Sequence, residues 1–137
     1  LGSAYQFRGS DVSIYDCGTI IHQDADASNP IGRSIKMALY LDEVDESTGA
    51  IRLLPGSHHR GDQYFSLLCK NWLGPDVLGL ATDEYPAVVL PSSPGDLLLW
   101  DYRVMHGTAY GGNRRRMLAL EFSEGEVVES RSSGVAA

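Results

Sequence analysis

Apolar runs in this 137-residue chain are short, and most are closed by a glycine, a proline or a cluster of Asp, Asn and Ser. Fifteen glycines and six prolines do much of this cutting, a pattern that favours short strands over long helices. Residues 4–8 and 11–16 read as two strands with Gly9-Ser10 as the turn between them. Residues 34–42 (SIKMALYLD) form a longer strand pattern, followed by the turn-forming stretch 45–49 and a second strand at 50–54, which predicts an antiparallel hairpin. Residues 63–72 are the best candidate for a single short helix, and 87–90, 96–102 and 117–122 are further strands. The expected organisation is one domain over residues 1–123 with a flexible tail over 124–137. About seven or eight short strands separated by turn signals predict a mainly β fold, a sandwich or barrel. A double-sheet jelly roll accommodates the spacing best.

Composition removes several classes of function. Hydrophobic residues make up 43% and charged residues 21%, as in a globular domain. The net charge of −7 argues against general binding to nucleic acid, and the cluster Arg114-Arg115-Arg116 is too small to reverse that field. No apolar stretch approaches the ~20 residues of a membrane span. With no secretion signal at Leu1, the chain reads as cytoplasmic, and Cys17 and Cys69, with no Cys-x-x-Cys partner, as reduced, inert thiols.

The candidate chemistry begins at His22-Gln23-Asp24. In an extended strand, side chains two apart share a face, so His22 and Asp24 can converge. Alone, such a pair is more often an ordinary feature of a strand end. His106 offers a third ligand, and two imidazoles with one carboxylate, leaving positions open opposite, suit non-haem Fe(II). Around this set stand Leu53-Leu54-Pro55-Gly56-Ser57-His58, Ser93-Pro94-Gly95-Asp96-Leu97, His106-Gly107-Thr108 and the arginines at 114–116. His58 reads as a structural residue of its turn, Trp100 and Tyr102 as core, Asn113 as a turn former, and Asp101 as an acceptor that could orient a ligand histidine.

In this order and spacing the motifs resemble the phytanoyl-CoA dioxygenase family of Fe(II)/2-oxoglutarate-dependent oxygenases, over about residues 13–122. The resemblance implies a double-stranded β-helix, a cupin-like jelly roll. It implies His22, Asp24 and His106 as catalytic iron ligands, with 2-oxoglutarate as cosubstrate and dioxygen and a small organic molecule as further partners. It also implies an arginine for the far carboxylate of 2-oxoglutarate, a task for a planar, permanently charged fork. Counting back seven residues from Phe122, as the family pattern suggests, selects Arg115, and strand parity agrees: Arg115, Met117, Ala119 and Glu121 share one face, and the apolar Leu118, Leu120 and Phe122 join Arg116 on the other. Arg116 is the runner-up. Many family members carry a cosubstrate-binding lysine on the strand ahead of the H-x-D; here Tyr15 is the candidate to serve that end.

The implied activity is hydroxylation of an unactivated C–H bond with release of succinate and carbon dioxide. Related halogenases have a small residue at the position of Asp24, so the carboxylate favours hydroxylation over halogenation. Only 21 residues precede His22, so the family's helical N-terminal portion is absent from this sequence. An uncovered apolar face is then expected, with self-association or a longer natural chain to cover it. Two other readings are a non-catalytic cupin-like binding module and a metal-dependent isomerase or hydrolase on the same jelly roll.

Overall fold

In the computed structural model, residues 5–24, 34–59, 81–111 and 114–124 are described. Eight strands among them form two four-stranded antiparallel sheets. They are β1 (Tyr5–Tyr15), β2 (Thr19–His22), β3 (Ser34–Tyr40), β4 (Ile51–Leu53), β5 (Val88–Leu90), β6 (Leu97–Asp101), β7 (His106–Thr108) and β8 (Arg115–Glu124). The first sheet runs β1-β8-β3-β6 and the second β2-β7-β4-β5. Odd and even neighbours interleave in both, so the chain crosses between the sheets repeatedly. This is the double-stranded β-helix.

The alternation along each strand places the core between the sheets. On β3, Ala38 and Tyr40 are buried; on β8, Met117 and Ala119; on β6, Trp100. They pack with Val44, Ala50 and Ile51, which arrive from the opposite side. A smaller cluster of Ile21, Leu54, Tyr85 and Met105 lies apart from this core. Ile21 alternates with His22 on β2, so the residue that anchors the strand and the residue that faces the site point opposite ways.

Three expectations are corrected. First, residues 5–15 are one continuous strand, and Gly9-Ser10 is no turn. The register with β8 shifts between Phe7 and Gly9, an irregularity that long pairing on either side absorbs. Second, β3 and β4 are not a hairpin. β3 pairs with β6 and β8, whereas β4 pairs with β5 and β7 in the other sheet. The turn at 45–49, where Asp45 accepts hydrogen bonds from Ser47 and Thr48, carries the chain across the core rather than back along it. The physical reason is that Tyr40 and Ile51 are both core residues, and strands packed face to face bury both. Third, β8 continues through Glu124, one residue into the stretch assigned to a tail. Residues 125–137, the expected helix at 63–72, Cys69 and Asn113 lie outside the described residues.

The outer face of the first sheet is apolar. Val12 and Ile14 on β1 and Leu97 and Leu99 on β6 are exposed, Val12 by 71%. The register lines Val12, Leu118, Leu39 and Leu97 into one row across all four strands. Among the described residues no helix is long and apolar enough to cross a membrane.

Candidate metal centre

β2 and β7 pair antiparallel, and His22 and His106 are direct partners in that register. Cross-strand partners have Cβ atoms roughly 5 Å apart, and here the two imidazole centroids lie 4.4 Å from each other. Asp24 is held beyond the end of β2 by its backbone N–H, which donates to the Tyr102 carbonyl at 3.1 Å. The carboxylate turns back to both rings, with Oδ2 3.4 Å from His106 Nε2 and Oδ1 3.9 Å from His22 Nε2. One ligand atom from each of the three residues falls within 4.8 Å of the others.

Both rings are set to coordinate through Nε2. His22 Nδ1 lies 2.8 Å from the Ile20 carbonyl and His106 Nδ1 2.9 Å from the Val104 carbonyl. A carbonyl only accepts, so each Nδ1 carries the proton and each Nε2 presents a lone pair. His106 is 5% exposed. Burial pulls its pKa down to about 4, against the opposing pull of the Asp24 charge, so the neutral, ligating form persists at neutral pH. Asp24 Oδ2 is buried with no hydrogen-bond partner among the described residues. An unsatisfied buried carboxylate oxygen is costly, and a divalent cation among these three groups would satisfy it. The donor set therefore fits Fe(II) on its own chemistry.

Asp101 does not orient either histidine. It pairs with Arg103 at 2.7 Å, and backbone carbonyls do the orienting. Trp100 and Tyr102 are buried, and the Trp100 ring lies 5.1 Å from that of His106. The His58 and His59 ring centroids lie 3.7 Å apart, tilted by 43°, while the neighbouring Ser57 Oγ accepts from Met105 N–H at 2.8 Å. Leu54 N–H donates to the Met105 carbonyl at 2.9 Å. The Leu-Pro-Gly-Ser turn thus grips the residue that immediately precedes His106.

Arg115 lines the same cavity as the histidines and is 3% exposed. It donates through Nη1 to the Gly49 carbonyl and through Nη2 to Thr108 Oγ1 at 3.2 Å, and its guanidinium carbon lies 4.7 Å from the centroid of the Tyr15 ring. Its Nε has no partner among the described residues, so a donor remains for an anion. Arg116 points outward and forms a multidentate pair with Asp42, at 2.7 Å for the shortest bond. Arg114 is also exposed, near Asp16. Alternation on β8 separates Arg115 from Arg116.

Three neighbours were not legible as site residues. Thr108 stands two residues past His106 on β7, about 7 Å along the strand; that parity was the available signal. Gly49 contributes a backbone carbonyl, which no side-chain pattern reveals. Lys36 is the third: its Nζ lies 2.9 Å from Asp24 Oδ1. Lys36 shares a strand face with Ala38 and Tyr40, and a charge on an inward face was its signal.

A jelly roll carrying two histidines and a carboxylate at one end of an internal cavity, with a buried arginine farther along, defines the non-haem-iron oxygenase class of β-helix proteins. Within it, residues 11–117 match the model of the phytanoyl-CoA dioxygenase (PhyH) family, and the chain belongs to that family. Fe(II) and 2-oxoglutarate are the cofactor and cosubstrate of that family, and the His-Asp-His site accords with both. A search by sequence against curated proteins returned no match. Among solved structures, the chain is similar to SnoK, a non-haem 2-oxoglutarate-dependent carbocyclase of nogalamycin biosynthesis, with 19% identity, a TM-score of 0.69 and coverage of 90% of this chain and 51% of that one. It is similar to EvdO2 of Micromonospora carbonacea var. aurantiaca, with 26% identity, a TM-score of 0.60 and coverage of 91% and 55%. It is also similar to EctD of S. alaskensis, solved with 2-oxoglutarate and 5-hydroxyectoine, with 18% identity, a TM-score of 0.62 and coverage of 90% and 45%. The chain spans about half the length of these proteins.

Proposed function

We propose that this domain is the catalytic β-helix of an Fe(II)/2-oxoglutarate-dependent oxygenase that hydroxylates a C–H bond of a small organic substrate. The observation that carries the reading is the convergence of His22, Asp24 and His106, with Arg115 buried along the same cavity. His22 and His106 bind iron through Nε2 and Asp24 through a carboxylate oxygen. Arg115 holds the far carboxylate of 2-oxoglutarate, with Thr108 beside it and the Tyr15 ring stacked on its guanidinium. When bound, the iron and 2-oxoglutarate supply the oxidative decarboxylation that yields succinate and carbon dioxide. The protein's own part is to hold the charged groups in fixed positions out of water and to present one C–H bond to that centre.

Asp24 favours hydroxylation over halogenation, because its carboxylate takes the place a halide would need. Proteins of similar fold include one named as a carbocyclase and one as an epimerase, so product analysis decides the outcome of the reaction. Dioxygen and a small molecule are the partners this reading requires. The acidic charge speaks against nucleic acid, and a cytoplasmic setting fits the absence of a spanning helix among the described residues. A partner surface, either a second copy or a further segment of the natural protein, covers the apolar outer face of the first sheet.

The test is an anaerobic titration with Fe(II) and 2-oxoglutarate, following the visible charge-transfer band, and then succinate release in air. A band that is absent from the wild type, together with iron binding unchanged in His106→Ala, would sink the proposal.

A further inference from the structure

Asp24 has two carboxylate oxygens, and the protein treats them differently. Oδ1 accepts a charge-assisted hydrogen bond from Lys36 Nζ at 2.9 Å. Oδ2, buried and without a hydrogen-bond partner among the described residues, faces His106 Nε2 at 3.4 Å. Lys36 is itself held on its far side by Glu121 Oε1 at 3.7 Å, its direct partner in the β3–β8 register. Glu121 in turn accepts a hydrogen bond from the Tyr102 hydroxyl. The ammonium lies 5.9 Å from the centroid of the Tyr102 ring. Its side chain is only 18% exposed, so it is confined in place rather than sweeping through solvent.

A carboxylate can bind a cation through one oxygen or chelate it through both. Chelation would consume one of the positions that a three-ligand iron site keeps open for its cosubstrate and dioxygen. A cation fixed on Oδ1 opposes chelation in two ways: it occupies the lone pairs that would turn to the metal, and it repels a dication approaching that oxygen. Oδ2 is left as the ligating atom, and it is the oxygen nearer His106. We propose that Lys36 is a positioning residue that restricts Asp24 to a single metal-binding oxygen, Oδ2, and so preserves the open coordination positions. The proposal rests on the metal site described above. It assigns Lys36 a role at the iron end of the cavity, separate from the anchoring of 2-oxoglutarate at Arg115.

The measurement is water-proton relaxation of the Mn(II)-loaded protein, which counts exchangeable waters on the ion without turnover. Three single-atom protein ligands on an octahedral ion leave about three waters. The wild type should show that number. Lys36→Met, similar in length and uncharged, should show a loss of about one water and bind Mn(II) at least as tightly as the wild type, because the competing cation is gone. A side chain that merely supported the fold would lower affinity and leave the water number alone. An equal water count in the two proteins, or an affinity at least tenfold weaker in a folded Lys36→Met, would overturn the proposal. If that variant does not fold, the wild type still decides: about two waters would mean that Asp24 chelates despite Lys36. Failure of the wild type to bind Mn(II) at all would remove the metal site itself, and this assignment with it.

Discussion

Arg115 and Arg116 are neighbours of identical chemistry, yet the structure gives them opposite surroundings. Arg115 is buried against Gly49, Thr108 and Tyr15, and burial lowers its pKa; Arg116 is exposed, and its contact with Asp42 raises its own. Charge-assisted hydrogen bonds of a buried arginine contribute about 1.5–3 kcal/mol each. Arg115→Lys should therefore weaken 2-oxoglutarate binding by roughly tenfold or more, measured by anaerobic titration, while Arg116→Ala leaves it unchanged. Equal losses in the two variants would reject the assignment. His106 makes a second prediction at this scale. Its pKa is about 4 in the folded protein against an ordinary value of 6.5. Between these values the unfolded chain binds a proton that the native state does not, so stability of the metal-free protein should fall as the pH drops from about 6.5 towards 4. Asp42, Asp45, Asp83 and Asp101 are held below 3.8, so their contributions are lost only in stronger acid. Urea midpoints in chelator at pH 7.5 and pH 5 should differ, and His106→Gln should narrow the gap.

At the scale of elements, two glycines hold the site together. Gly107 lies on β7 between His106 and Thr108, and a Cβ there would sit 2.7 Å from the Ile20 carbonyl oxygen of β2. The obstacle is backbone, which cannot rotate away, so Gly107→Ala must part the two strands that carry the histidines. Mn(II) affinity should drop by tenfold or more while the sheet survives; unchanged affinity would show that β2 has slack. Gly49 has φ +96°, and a Cβ there would collide with the Arg115 guanidinium and the Tyr110 carbonyl. Strain in that region costs about 1–3 kcal/mol. Gly49→Ala should lower the unfolding midpoint and weaken 2-oxoglutarate binding together. The same elements mark how far the sequence could be read. The strand patterns at 34–42, 87–90 and 96–102 correspond to β3, β5 and β6, but pairing did not follow chain order. A short turn next to two apolar strands normally signals a hairpin. Here burial of Tyr40 and Ile51 in a common core outweighed that local preference.

At the scale of the whole molecule, the outer face of the first sheet is apolar. Val12, Ile14, Leu97 and Leu99 are exposed, with Leu39 and Leu118 between them. Single exposed apolar residues are ordinary, but a row spanning four strands is the kind of patch that marks interaction sites, and we propose that it mediates association. Sedimentation of this chain should show self-association that rises with concentration. Val12→Lys with Leu99→Lys should reduce it and leave Mn(II) binding intact. A monomer at every concentration would count against the surface.

What the sequence determined by itself was alternation. Residues two apart share a strand face because the peptide chain is pleated, a property of the local backbone that tertiary contacts do not alter. That rule puts His22 and Asp24 on one side and Arg115 and Arg116 on opposite faces. The family pattern selected Arg115, and Asp24, beyond the end of β2, is set by its backbone bond to the Tyr102 carbonyl. The motif order added the double-stranded β-helix and the family. Which strands lie side by side, and hence which side chains meet across the cavity, was decided only in three dimensions. Lys36 against Asp24 and the Gly49 carbonyl under Arg115 belong to this second group. Both contacts join separate segments of the chain, and both depend on where the shared core sets each backbone, which no spacing within one strand records.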